Sequence, residues 1–178
     1  MPFLWNGFIS AKGGFRSWTF LLGVTLQSNC KFSEHVGLKL VKANRCLHVL
    51  RSLRRAQYSQ VEIDYLFKSL VLPNFTYCLS VYGASESGLN IIQLSLDRCH
   101  KHHCVSSPVS IKDLLYRQDC NILKATTSVD NHPLGSYLPP TKENKYNLRK
   151  KQCALPKFNT ERFMTSYVNR PIFKHKIR

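Results

Sequence analysis

Ser33-Glu34-His35-Val36-Gly37-Leu38-Lys39-Leu40-Val41-Lys42-Ala43-Asn44-Arg45-Cys46-Leu47-His48-Val49-Leu50-Arg51-Ser52-Leu53-Arg54-Arg55 is the stretch whose pattern decides the fold. Val36, Leu40, Ala43, Leu47 and Leu50 recur at intervals of three and four, which is one apolar stripe along a long helix. Ser33 stands where an N-cap belongs. Lys42 and Arg45 fall on the flank away from the stripe, and Arg51, Arg54 and Arg55 place cations at the negative end of the helix dipole.

On the N-terminal side, Trp18–Leu26 is uncharged and apolar and is predicted to be one short strand, with Gln27–Phe32 as the turn leaving it. Lys12 and Arg16 precede it, so it imitates a secretory signal. No small-x-small cleavage pattern follows, and Gly23 and Thr25 interrupt it, so secretion is not expected. On the C-terminal side, Ser59 and Glu62 form a capping-box pattern ahead of Ile63, Leu66, Phe67 and Leu70. Pro73 is expected to break or restart that helix, and Phe75–Tyr82 to be buried on most sides. Gly83–Gly88 reads as a turn. Leu89, Ile92, Leu96 and Cys99 give a third stripe, and Pro108 marks a loop. Ser110 and Asp113 then open a helix through about Thr127, with Ile111, Leu114, Leu115 and Ile122 inward. The predicted fold class is mainly α: a short N-terminal strand, about four helices in an irregular bundle, then an extended basic C-terminal tail.

Charge narrows the class of partner. Twenty-six Lys and Arg against ten Asp and Glu in 178 residues leave a net charge of +16, which favours a polyanion over a small acidic substrate. From Tyr137 onward eleven basic residues face only Glu143 and Glu161. With Pro139, Pro140, Pro156 and Pro171 among them, that stretch is expected to be a partly disordered arm. Two basic groups result: Lys39, Lys42, Arg45, Arg51, Arg54 and Arg55 on the first helix, and Lys142, Lys145, Arg149, Lys150 and Lys151 in the tail. Both suit sequence-independent contact with phosphates, at the cost of strong salt dependence. The seven cysteines are irregularly spaced, which argues for reduced thiols in an intracellular chain, nuclear or cytoplasmic, rather than a disulfide framework. No run approaches the roughly 18 apolar residues of a membrane span.

Catalytic frames are missing: there is no Gly-x-Ser-x-Gly, no phosphate-cradling glycine loop and no His-Glu-x-x-His. Cys99-His100-Lys101-His102-His103-Cys104 concentrates metal-ligand types, but no second pair answers it at zinc-site spacing. Glu62 and Asp64 are the only close carboxylates apt to share a metal, and at that spacing they point to different sides of a helix.

Several motifs, in order, resemble the region after the palm in reverse transcriptases of non-LTR retrotransposons, the LINE or jockey-like class. Leu22-Gly23-Val24-Thr25-Leu26 and Lys31-Phe32-Ser33-Glu34-His35-Val36 resemble the segment that leaves the palm. Lys42-Ala43-Asn44, Leu66-Phe67-Lys68-Ser69-Leu70-Val71-Leu72-Pro73, Tyr77 and Tyr82-Gly83-Ala84-Ser85 resemble thumb and post-thumb helices. Ile111-Lys112-Asp113-Leu114-Leu115, His132-Pro133-Leu134, Leu148-Arg149 and Thr160-Glu161-Arg162-Phe163 resemble the extreme C-terminal region. The chain departs from the family at Gln27, where Asp is usual, at Tyr82, where Trp is common, and at Leu21, where Tyr often stands.

The resemblance implies an unmatched segment at 1–17, a thumb-like helical region at 18–104, a C-terminal helix and loop at 105–136, and the basic tail at 137–178. It also implies that polymerase chemistry lies elsewhere. The family's palm carboxylates include an Asp-Asp pair that this sequence lacks, and the magnesium would belong to that palm. No catalytic residue, cofactor or metal ligand is therefore expected here. The expected partner is an RNA or DNA backbone bound nonspecifically, with Lys39, Lys42 and Arg45 the first candidates for contact. No small-molecule substrate or membrane is expected, and exposed apolar helix faces would favour self-association. The alternative is a domesticated basic module that binds nucleic acid or protein with no enzymatic role, and a third reading is a small zinc domain around Cys99–Cys104.

Overall fold

The computed structural model describes residues 18–29, 31–83, 85–129, 132–138, 157 and 160–173, and they are mainly helical. In chain order they form β1 (Trp18–Leu21), β2 (Val24–Gln27), α1 (Ser33–Arg55), α2 (Gln60–Leu66), a π turn (Phe67–Val71), α3 (Leu72–Thr76), α4 (Leu79–Tyr82), α5 (Glu86–Lys101), α6 (Ile111–Ser128), a 3-10 turn (Gly135–Tyr137), α7 (Glu161–Thr165) and α8 (Arg170–Phe173). Two units result: the chain up to Tyr77 with Ser87–Val109, and Cys78–Glu86 with the chain from Ser110. The four helices expected from the sequence are α1, the rod from α2 through the π turn to α3, α5, and α6.

In the first unit the apolar stretch from Trp18 is a hairpin, not a single strand. β1 and β2 pair antiparallel, with Leu21 opposite Val24 and Trp18 opposite Gln27. The two residues between them have φ of 46° at Leu22 and 80° at Gly23, the positive pair of a type I′ turn. Leucine is an unusual first residue there, which hides the turn from the sequence. The Tyr77 hydroxyl holds it, donating to the Leu22 carbonyl at 2.7 Å. The positive φ of Gly23 calls for glycine, and an added Cβ would also press on the Tyr77 ring at 3.1 Å.

α1 buries Val36, Ala43, Leu47 and Leu50, with Leu40 half-buried, so the stripe lies where its spacing placed it. Its start departs from expectation. Ser33 is the first helical residue, and no side chain caps the helix from Phe32 before it. Gln27 caps from β2 instead, its Oε1 accepting from Ser33 Oγ at 3.0 Å and from the Glu34 N–H at 3.3 Å. One residue on, buried His35 accepts the Thr25 N–H on Nδ1 at 3.1 Å. Burial, and then the charges of Lys39 and Lys42, push this imidazole down to about 4.

α2 opens on the expected capping box: Ser59 accepts from the Glu62 N–H, and Glu62 Oε2 accepts from the Ser59 N–H at 2.9 Å. Pro73 does not end the helix. A proline ring crowds the carbonyl four residues back and offers no N–H, and here the turn before it widens so that the Leu72 N–H reaches the Phe67 carbonyl. Asn74 Nδ2 donates to the Leu70 carbonyl at 2.6 Å and Ser69 Oγ to the Tyr65 carbonyl at 3.0 Å, satisfying acceptors near the wider turn. Phe67, Val71 and Phe75 thereby stay on one fully buried line, and the π turn and α3 pack on α1. α5 begins inside the stretch expected to be a turn and buries Leu89, Ile92, Leu96 and Cys99 as the spacing predicts.

In the second unit Ser110 caps α6, its Oγ accepting the Asp113 N–H at 3.3 Å. Ile111 and Leu115 are buried, and Leu114 and Ile122 half-buried. α6 packs with α4 and with α8. Residues 160–173 fall within the stretch expected to be an extended arm, yet they form α7 and α8, and Arg170 is only 1% exposed. Its Nε donates to Asp119 Oδ2 at 2.7 Å and its Nη2 to Asp119 Oδ1 at 2.8 Å. Nη2 also donates to the Ser80 carbonyl. The bidentate fork joins α8, α6 and α4 around one buried charge pair.

Breaking a buried pair strands a charge, so Asp119→Ala is expected to cost about 3–5 kcal/mol in urea unfolding, and Asp119→Leu combined with Arg170→Met clearly less than the two single changes summed. His35 predicts a pH dependence. Its folded-state pKa lies below the unfolded value, so the stability it contributes is present above about pH 6.5 and is lost as pH falls toward 4. Thermal melts at pH 7 and pH 4.5 are expected to show the native protein losing about 2 kcal/mol more than His35→Gln, after discounting for solvent screening.

Candidate nucleic-acid interface

Of the eleven basic residues singled out by the sequence, the six on α1 are described, while Lys142, Lys145, Arg149, Lys150 and Lys151 lie outside the described residues. The six do not form one patch. Lys39 is half-buried, with Nζ 5.2 Å from the centre of the Tyr77 ring, so its charge sits over an aromatic face. Lys42 and Arg45 are exposed. From Lys42 to Arg51 is about two and a half helical turns, which puts the two on opposite sides of α1.

Arg51 and, about one turn later, Arg54 and Arg55 gather toward the C-terminal end of α1. With His102 they line an open depression of about 350 Å³. Arg54 is fixed there, because its Nη1 donates to the His102 carbonyl at 2.6 Å. That bond also neutralises an acceptor at the end of α5, where carbonyls lack helical partners. Arg51 stands close enough to α5 for its charge to act on the Cys99 thiol. Burial pushes that thiol up to about 11, neighbouring Cys104 adds to the rise, and Arg51 opposes it. No carboxylate pairs with Arg51, Arg54 or Arg55 among the described residues. Three guanidinium groups at spacings of three and four repel one another, relieved in part by the helix C-terminus beneath them.

His102 enters this group through chain reversal, not through any local signal. α5 ends in a Schellman motif: His103 takes a φ of 53°, the Cys104 N–H donates to the Cys99 carbonyl at 2.9 Å, and the His103 N–H to the His100 carbonyl at 2.9 Å. The motif turns Cys99 and Cys104 inward, where both are buried, and leaves His100, His102 and His103 exposed. The ligand types that crowd together in sequence are thus divided between core and surface. Among the described residues no group of three or more His, Cys, Asp or Glu is placed to hold a metal ion.

The two close carboxylates are also separated by use. Glu62 is engaged with Ser59 at the α2 cap. Asp64 Oδ1 accepts from Gln60 Nε2 at 2.8 Å and from the Ser106 N–H at 2.9 Å, and Ser106 Oγ donates to Oδ2. Desolvation pushes the Asp64 carboxyl up, but those bonds outweigh it and hold the group below its ordinary value. Its role is to fasten the loop after α5.

Among the described residues no helix is long and apolar enough to cross a membrane. Comparison with protein-family models, with curated proteins and with solved structures gives no match to this chain.

The burial of the thiols has a chemical consequence. Cys46, Cys78 and Cys120 are half-buried, whereas Cys99 and Cys104 are buried. Under native conditions at pH 8, alkylation followed by peptide mapping is expected to label the first three roughly tenfold faster, with Cys99 and Cys104 catching up only in denaturant.

Proposed function

We propose that this chain corresponds to the thumb and post-thumb part of a reverse transcriptase from a non-LTR mobile element, without the catalytic palm, and that it binds an RNA or DNA backbone nonspecifically. The observation that carries the binding half is the trio Arg51, Arg54 and Arg55, exposed and without carboxylate partners among the described residues, on a chain of net charge +16. Lys42 and Arg45, nearer the start of α1 than the trio, add a second contact. The ordered motifs from Leu22 to Phe163 carry the ancestry. Two of those motifs, Leu66–Pro73 and the turn at Leu22–Gly23, are linked through Tyr77, which follows the end of α3 and donates to the Leu22 carbonyl.

Such contacts position a backbone and do not read bases. The role that fits is duplex or single-strand holding inside the cell, with no chemistry of its own. Fluorescence anisotropy with an RNA–DNA duplex is expected to give micromolar affinity at 50 mM salt, indifferent to sequence. Log K should fall against log salt with a slope of about −3 to −5, matching a handful of phosphate contacts. Binding that held constant with salt, or magnesium-dependent extension of a primer by the purified chain, would refute the proposal.

A further inference from the structure

We infer that the depression formed by Arg51, Arg54, Arg55 and His102 is a seat for one phosphate group, and that it takes a terminal phosphomonoester in preference to a phosphodiester within a strand. The inference rests on the nucleic-acid reading and sharpens it to a single place and a single chemical group. Four observations converge. The depression is open and measures about 350 Å³, room for a phosphate with part of its sugar. Its cationic lining has no carboxylate counter-charge among the described residues. Arg54 donates through one nitrogen to the His102 carbonyl, which orients the rest of its planar fork toward the depression's opening. The end of α5 brings His102, forty-eight residues away in the chain, against the last turn of α1.

The preference for an end follows from charge and valence. Three guanidinium groups present a surplus that a phosphodiester, with one charge and two free oxygens, relieves only in part. A monoester carries up to two charges and three terminal oxygens, each able to accept charge-assisted bonds. Lys42 and Arg45, exposed nearer the start of the helix, suit the internal backbone instead.

The test uses the full chain and two fluorescent oligonucleotides of one sequence, one with a 5′-phosphate and one with a 5′-hydroxyl, at 150 mM salt. Binding of the phosphorylated strand is expected to be about tenfold tighter, the effect of roughly one added charge-assisted contact. Inorganic phosphate at millimolar concentration should compete for the difference and should shift the Nε resonances of Arg51 and Arg55 in the side-chain NMR spectrum. The double variant Arg51→Gln, Arg55→Gln should weaken both strands and abolish the preference, bringing the phosphorylated strand down to the affinity of the hydroxyl strand. The double variant Lys42→Gln, Arg45→Gln should weaken both strands alike and keep the preference. All four side chains are exposed, and melting curves establish that each variant is folded. Equal affinity for the two strands, or a preference that survives loss of Arg51 and Arg55, overturns the inference. If neither strand binds while inorganic phosphate still shifts the two arginines, the phosphate seat stands and the nucleic-acid reading falls.

Discussion

An α-helix advances about 100° per residue, and α1 can bury only one side of itself. That geometric constraint dictates where every other group on the helix can go. Val36, Ala43, Leu47 and Leu50 take the inner side, where the π turn and α3 lie. Every cation on α1 must then go to a flank or to an end. Lys42 and Arg45 lie away from the stripe, and Arg51, Arg54 and Arg55 follow the buried run, the last two in the final turn. The charged surface of α1 is set by what the core leaves over.

Each unit holds one polar node, and both nodes depend on burial. At the N-terminal end, the hairpin clasps α1 through Gln27 and through the Thr25 N–H on His35. A buried imidazole that accepts a hydrogen bond must stay neutral, and two nearby lysines reinforce that. In the second unit, Arg170 and Asp119 form a fork inside an otherwise apolar setting. Pairs of this kind contribute little net stability against apolar replacements but are costly to break singly. They fix which neighbours a helix takes.

The strongest chemical suggestion in the sequence, the Cys and His run at the end of α5, resolves into backbone geometry. A left-handed residue is needed to end the helix, and His103 supplies it where glycine is more usual. The reversal sends two thiols inward and His102 toward α1. The residue types that suggest metal chemistry serve, in the fold, to close a helix and to complete a basic depression.

Periodicity and capping are local, and those parts were legible. The stripes of α1 and α5, the capping box at Ser59, the Ser110 cap and the mainly α class all follow from side chains within a few residues of one another. Legibility failed where a conformation was unusual for its residue or where the partner was distant. Leu22 in a positive-φ turn made a hairpin resemble one strand, and the π turn let a helix continue past Pro73. Gln27 took the capping role that Ser33 was placed to fill. Arg170, counted with a basic arm, is buried because Asp119 is fifty-one residues away in the chain and adjacent in space. The sequence by itself determined the helices, the excess of positive charge and the absence of an Asp-Asp pair. Only the tertiary structure decided which cations stand together, because a guanidinium acquires its role from the groups that packing brings within a few ångströms, and chain separation does not encode that.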